Sequence, residues 1–144
     1  MRAGKNRVPA SGLLTREEFS KQVLLRSGGR CVFCGALAVD AHHILDRKLF
    51  TDGGYYLDNG AAVCEAHHWD CETTRLSVEE TRKAAGIVRT CLPPQWSPTT
   101  RYDKWGNVLR EDGLREPGPL FEDTGCRRAL REGGVLGRFV PKGT

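Results

Sequence analysis

Residues 41–68 read AHHILDRKLFTDGGYYLDNGAAVCEAHH, and this window holds all four histidines of a 144-residue chain. They come as two adjacent pairs, His42-His43 and His67-His68. Imidazole titrates near neutral pH and is the commonest metal ligand, so confining every copy to one window points to a site. Within the window, Cys64 and His67 have C-x-x-H spacing. Just upstream, Cys31 and Cys34 form C-x-x-C, followed directly by Gly35. Such a knuckle lets two thiolates grip one ion while amides of the tight turn face the sulfurs, and a second pair completes a closed tetrahedral zinc site. Cys31, Cys34, Cys64 and His67 are therefore expected to hold a structural Zn2+, with His68 and Cys71 as nearby competitors for the fourth position. A redox dithiol is the alternative for a lone C-x-x-C, and the second pair argues against it. The 29 residues between Cys34 and Cys64 exceed what a simple zinc ribbon needs. Something is inserted between the knuckles, and it contains His42 and His43.

The rest of the chain sets bounds. Its length suits one domain, and 39% hydrophobic with 28% charged residues suits a globular one. No apolar run approaches the roughly 20 residues of a membrane span. The start, MRAGKNRVPASG, is basic without an apolar segment, which argues against a secretory signal and for a cytoplasmic, reducing setting. In that setting Cys71, Cys91 and Cys126 read as small buried residues. The net charge of +4 divides as +5 over residues 1–30, −3 over 31–100 and +2 over 101–144. Basic flanks suit a polyanion, and Arg2, Lys5 and Arg7 are candidate contacts to a nucleic-acid backbone.

Local signals place the elements. Thr15 and Glu18 form a capping box for a helix over about Arg16–Arg26, stopped by Gly28-Gly29. ALAVDAHHIL and AAVC read as short strands, the second leading into a helix that starts near Cys64. Asp52-Gly53-Gly54 and Asn59-Gly60 are turn signals in a loop over residues 46–60. Ser77 and Glu80 cap a helix over Val78–Ala85, ended by Gly86. RYDKWGNVLRE reads as a hairpin turning at Gly106-Asn107, and Asp123 or Thr124 caps a last helix to about Glu132. The organisation expected is a flexible basic arm (1–12), a zinc-bearing domain (13–92) and a C-terminal extension (93–144). Tyr55, Tyr56 and Trp69 are expected to pack.

CVFC, AHHI, DNGAAVC and EAHH, in that order and with Asn59-x4-Cys64-x-x-His67-His68 spacing, resemble the HNH endonuclease family in its zinc-knuckle form. DGGYYLDNG and YDKWGN are loosely similar to segments of small phage-type members, which implies a bacterial host. The resemblance implies a small α+β, treble-clef-like ββα-metal core. It implies His43 as general base, Asn59 as the brace of its loop, and His42 and His68 as ligands of one catalytic divalent ion: Mg2+, Mn2+, Ni2+ or Zn2+. Asp40 is a candidate outer partner of that ion, and Arg47 and Lys48 are candidate phosphate contacts. The activity implied is hydrolysis of a phosphodiester bond, with DNA as substrate. RNA as substrate, and a zinc-stabilised binding module without catalysis, are the alternatives. With no DNA-reading helix evident, a protein partner supplying specificity fits the pattern.

Overall fold

A computed structural model of the chain describes residues 12–141; the basic residues Arg2, Lys5 and Arg7 lie outside them. The fold is a small α+β arrangement with four α-helices and two small antiparallel sheets among the described residues. Helix α1 spans Arg16–Arg26, and Thr15 caps it by accepting the Glu18 N–H at 3.0 Å. The box is half-formed, because the Glu18 carboxylate turns to Gln22 instead. Strand β1 (Asp40–His43) pairs antiparallel with β2 (Gly60–Val63), His42 opposite Ala61 and His43 opposite Gly60. Helix α2 (Glu65–Glu72) follows directly with Cys64 as its N-cap residue, and α3 spans Val78–Ala85 with a complete Ser77/Glu80 capping box and a left-handed Gly86.

Both faces of the central hairpin are covered, and this explains its small residues. On one side Phe19 and Val23 of α1 pack on Ala41 and Ala62. On the other, Ala61 joins Ile44, Leu45, Phe50, Val78 and Cys91. Gly60 is no turn residue. Its φ of −127° is extended and it opens β2. A Cβ there would come within 2.5 Å of Val23 and 2.8 Å of Phe19, so glycine is what lets α1 lie flat on the strand. Arg26 ties the same helix down by donating to the carbonyls of Leu57 and Gly60.

The C-terminal segment departs from expectation. The segment does fold back on itself, through Leu109 N–H to Arg101 C=O and Asp103 N–H to Asn107 C=O (both 2.9 Å) around a Tyr102–Val108 bridge, but the turn lies within residues 103–107 rather than at Gly106-Asn107 alone. The paired strands are β3 (Val108–Leu109) and β4 (Arg115–Glu116). The turn needs the Asp103 side chain, which accepts from backbone N–H groups of Trp105 and Asn107. Helix α4 (Thr124–Glu132), capped by Asp123, closes a third apolar cluster of Trp105, Cys126, Ala129 and Leu130. No helix among the described residues is long and apolar enough to cross a membrane.

Candidate metal and catalytic site

The two knuckles meet. The first is a turn in which Gly35, at φ +78°, lets its N–H return to the Cys31 carbonyl at 2.9 Å. The second is the N-terminus of α2, where Cys64 and His67 share the first turn. The donor atoms of Cys31, Cys34, Cys64 and His67 all lie within 4.8 Å of one another. Cys31 Sγ is 3.6 Å from His67 Nδ1, Cys64 Sγ is 3.3 Å from the same nitrogen, and Cys34 Sγ is 3.8 Å from Cys64 Sγ. A tetrahedral zinc with its usual bond lengths separates such ligand atoms by about 3.5–3.8 Å, so the cluster can hold a structural metal such as zinc. Burial would raise the Cys31 thiol, but backbone N–H groups of Cys64, Cys34 and Phe33 outweigh it and bring it down to about 6, favouring the thiolate a metal requires. Cys71 takes no part: it is buried against Thr81.

His68, one residue on, aims elsewhere. His42 from β1 and His68 and Glu72 from α2 form a second donor group within 4.8 Å. Glu72 Oε2 is its hub, 3.4 Å from His42 Nδ1 and 3.6 Å from His68 Nε2. His42 Nδ1 is buried with no hydrogen-bond partner. An orphaned, buried imidazole nitrogen facing a carboxylate and a second imidazole is the donor set a divalent transition ion accepts, and its spacings suit bonds of about 2.0–2.2 Å. Burial holds His42 at about 4, so the imidazole is neutral and able to ligate. Burial would also raise the Glu72 carboxyl, but His42, His68 and Lys104 outweigh it and keep it well below the usual carboxylate range. Glu72 in turn raises His68. Asp40 Oδ2 lies 3.5 Å from His68 Nε2 at the exposed rim.

His43 points to the opposite face of β1, as neighbouring strand residues must. Its ring stacks on Phe19 (centroids 4.6 Å, 24° between planes) and meets Tyr55 edge-on at 5.0 Å. Its Nε2 is buried with no hydrogen-bond partner. Burial, then the Lys104 charge, brings His43 down to about 4, so it is neutral at physiological pH. Arg16, Phe19, Ser20, Asp40, Ala41, His43, Arg47 and Tyr55 line a cleft of about 270 Å³. Asp40 borders both the cleft and the His68 group, so the two adjoin. Asn59, 1% exposed, accepts the Leu45 N–H at 3.0 Å and donates to the carbonyls of Leu45 (3.0 Å) and Gly54 (3.2 Å). It therefore ties the chain just after His43 to Gly54, the residue before Tyr55, whose ring meets that of His43.

Several placements differ from the sequence reading. Lys48 is drawn to Asp123 at 2.9 Å and does not line the cleft; Arg16 does. Trp69 is 41% exposed rather than packed. Tyr55 and Tyr56 do pack as expected, Tyr55 against Phe19 and His43 and Tyr56 against Phe50, with the Tyr56 hydroxyl donating to Asp52. Glu72 was missed, although His68-x-x-x-Glu72 places it one helical turn from a histidine already singled out. No family, curated protein or solved structure matches the chain, so the chemistry of the site rests on this geometry.

Proposed function

We propose that the chain is a metal-dependent endonuclease of the HNH kind, with a ββα-metal core formed by β1, β2 and α2, that hydrolyses phosphodiester bonds of DNA. One observation carries the reading. A neutral histidine with a free Nε2, fixed by stacking and by a braced loop, sits in an arginine-flanked cleft adjoining a His-His-Glu donor group.

The division of labour follows from the residues. Arg16 and Arg47 neutralise the charge of the backbone entering the cleft. Nε2 of His43 takes a proton from the attacking water as its oxygen bonds to phosphorus. The bond from phosphorus to the 3′-oxygen breaks, leaving a 5′-phosphate and a 3′-hydroxyl that is protonated from solvent. A phosphate in the cleft raises the affinity of His43 for that proton, offsetting the lowering by burial. His42, His68 and Glu72 would hold the divalent ion, which would supply Lewis-acid stabilisation of charge on the phosphoryl and leaving oxygens. Asn59 acts through the loop, keeping the imidazole at one orientation.

The test is nicking of supercoiled plasmid by wild type and His43→Ala with Mg2+, Mn2+, Ni2+ or Zn2+, with a single-stranded RNA in parallel. The wild type should nick DNA, and the variant should be slower by about 10²–10⁴-fold, the usual contribution of a general base. Equal cleavage by both would remove His43 from the chemistry. Tight DNA binding without cleavage by either would leave a binding module.

A further inference from the structure

The turn at residues 103–107 buries an unusual density of polar groups. Asp103 is 3% exposed, Lys104 5% and Asn107 0%. Asp103 accepts from Arg115 at 2.9 Å, and Asn107 Oδ1 accepts the Gly118 N–H at 2.7 Å, so the turn is rigidly built. A buried ammonium is costly unless paired, and one at the end of such a platform asks for a purpose. Lys104 Nζ lies 2.9 Å from Asp46 Oδ1 and 3.4 Å from Glu72 Oε2, the same oxygen that faces His42 and His68. The backbone repeats the grip. The Asp46 N–H donates to the Lys104 carbonyl at 2.9 Å, and the Trp105 indole donates to the Glu72 carbonyl at 2.9 Å. One turn from the C-terminal segment therefore holds both the loop that follows His43 and the end of α2 that carries the metal donors.

We propose that Lys104 is a positioning residue: it locks the base-bearing loop to the metal-bearing helix, and its charge on the Glu72 oxygen keeps the divalent ion weakly held. This rests on the reading of His42, His68 and Glu72 as a metal site. A purely structural clamp and a charged outer partner differ in sign. Losing a clamp loosens Glu72 and weakens metal binding. Losing a positive charge beside a ligand oxygen removes repulsion of the ion and strengthens it.

The test is calorimetric titration with Mn2+ of zinc-loaded wild type, E72Q, K104R and K104M, with plasmid cleavage measured alongside. The wild type should bind Mn2+ at a site that E72Q abolishes. K104M should bind at least tenfold more tightly yet cleave at least tenfold more slowly, and K104R should bind within about threefold of wild type. If K104M does not fold, the double variant D46N/K104M, which removes both charges of the pair, should tighten binding in the same direction but less, because the charge lost nearer Glu72 is the positive one. Unchanged or weaker binding in the folded neutral variant would overturn the role of Lys104 while leaving the metal site standing. Failure of wild type to bind, or binding indifferent to E72Q, would sink the metal reading and this inference with it.

Discussion

Asn59→Asp is the substitution that tests the loop brace most sharply, because it changes one heavy atom and almost no volume. The native amide donates to two buried carbonyls, those of Leu45 and Gly54, and accepts the Leu45 N–H. An aspartate keeps the acceptor. It turns the donor into an anionic oxygen held near two carbonyl oxygens, in a position 1% exposed. Two unsatisfied carbonyls cost about 1–3 kcal/mol each, and the buried charge adds to that. The expected loss at neutral pH is about 4–6 kcal/mol, overlapping the about 3–5 kcal/mol expected for Asn59→Ala, which leaves three backbone groups unpaired but buries no charge. The two variants separate with pH. The folded state raises the aspartate above its unfolded value of about 3.9. The charge's share of the penalty is therefore absent below that value and grows as pH rises toward the folded pKa, while one carbonyl stays unpaired at any pH because a protonated carboxyl has a single donor. Between about pH 7 and pH 5 the Asp variant should regain about 2–3 kcal/mol relative to wild type, by proton linkage, while the Ala variant should not. Urea denaturation followed by circular dichroism gives both numbers. An Asp variant within about 1 kcal/mol of wild type at pH 7, or one whose deficit ignores pH, would refute the hydrogen-bond account.

Two further outcomes are expected. Cys34 is exposed, yet Cys34→Ala should abolish cooperative unfolding and zinc content together, since structural zinc contributes about 10–16 kcal/mol against a total of about 5–15 for such a domain; a folded, zinc-free variant would overturn this. His42 and His43, held by burial near 4 against an ordinary 6.5, stay neutral in the fold where the unfolded chain takes up protons. Their contribution is intact above about pH 6.5 and declines toward pH 4, by about 2 kcal/mol each at pH 5. His68, raised chiefly by Glu72, offsets part of this. A denaturation midpoint that stays flat or rises from pH 6.5 to 5, with no divalent ion beyond the structural zinc, would count against it.

What was legible in the sequence was local. Thr15, Ser77 with Glu80, Gly86 and Asp123 mark the ends of α1, α3 and α4 because caps act within one turn of the residues they satisfy. The knuckles were legible because two-residue spacing is itself the geometry of a shared ion. The rest depended on residues brought together only by folding. Glu72 gives no signal beyond its place one turn after His68, and acidic side chains on helices usually face water. Asn59-Gly60 carries a turn signature, but Gly60 is there for the approach of Val23 and Phe19, a contact across 37 residues or more of chain. Lys104 lies 58 residues from Asp46, and no periodicity or motif links them.

That last group raises the question of what the buried polar residues are for. The strands themselves give the apolar core mostly small residues, Ala41, Ala61 and Ala62, and His42, Asp46, Asn59, Asp103, Lys104 and Asn107 are buried beside it. All but Asn59 lie on one path: Asn107 to Asp103, the adjoining Lys104 to Asp46 and Glu72, and Glu72 to His42. A fold selected for stability alone would gain by replacing such pairs with apolar groups of similar size, which is often neutral or stabilising by about 1–4 kcal/mol. Retaining a path that runs from the His42, His68 and Glu72 group to the turn that grips it is costly unless the orientation of those side chains matters. Asp46 sits at the middle of that path, capping the turn after Leu45 through the Lys48 N–H at 3.0 Å and binding Lys104 through its other oxygen. The loop that Asn59 braces from one side, Lys104 braces from the other, and His43 stands at its root.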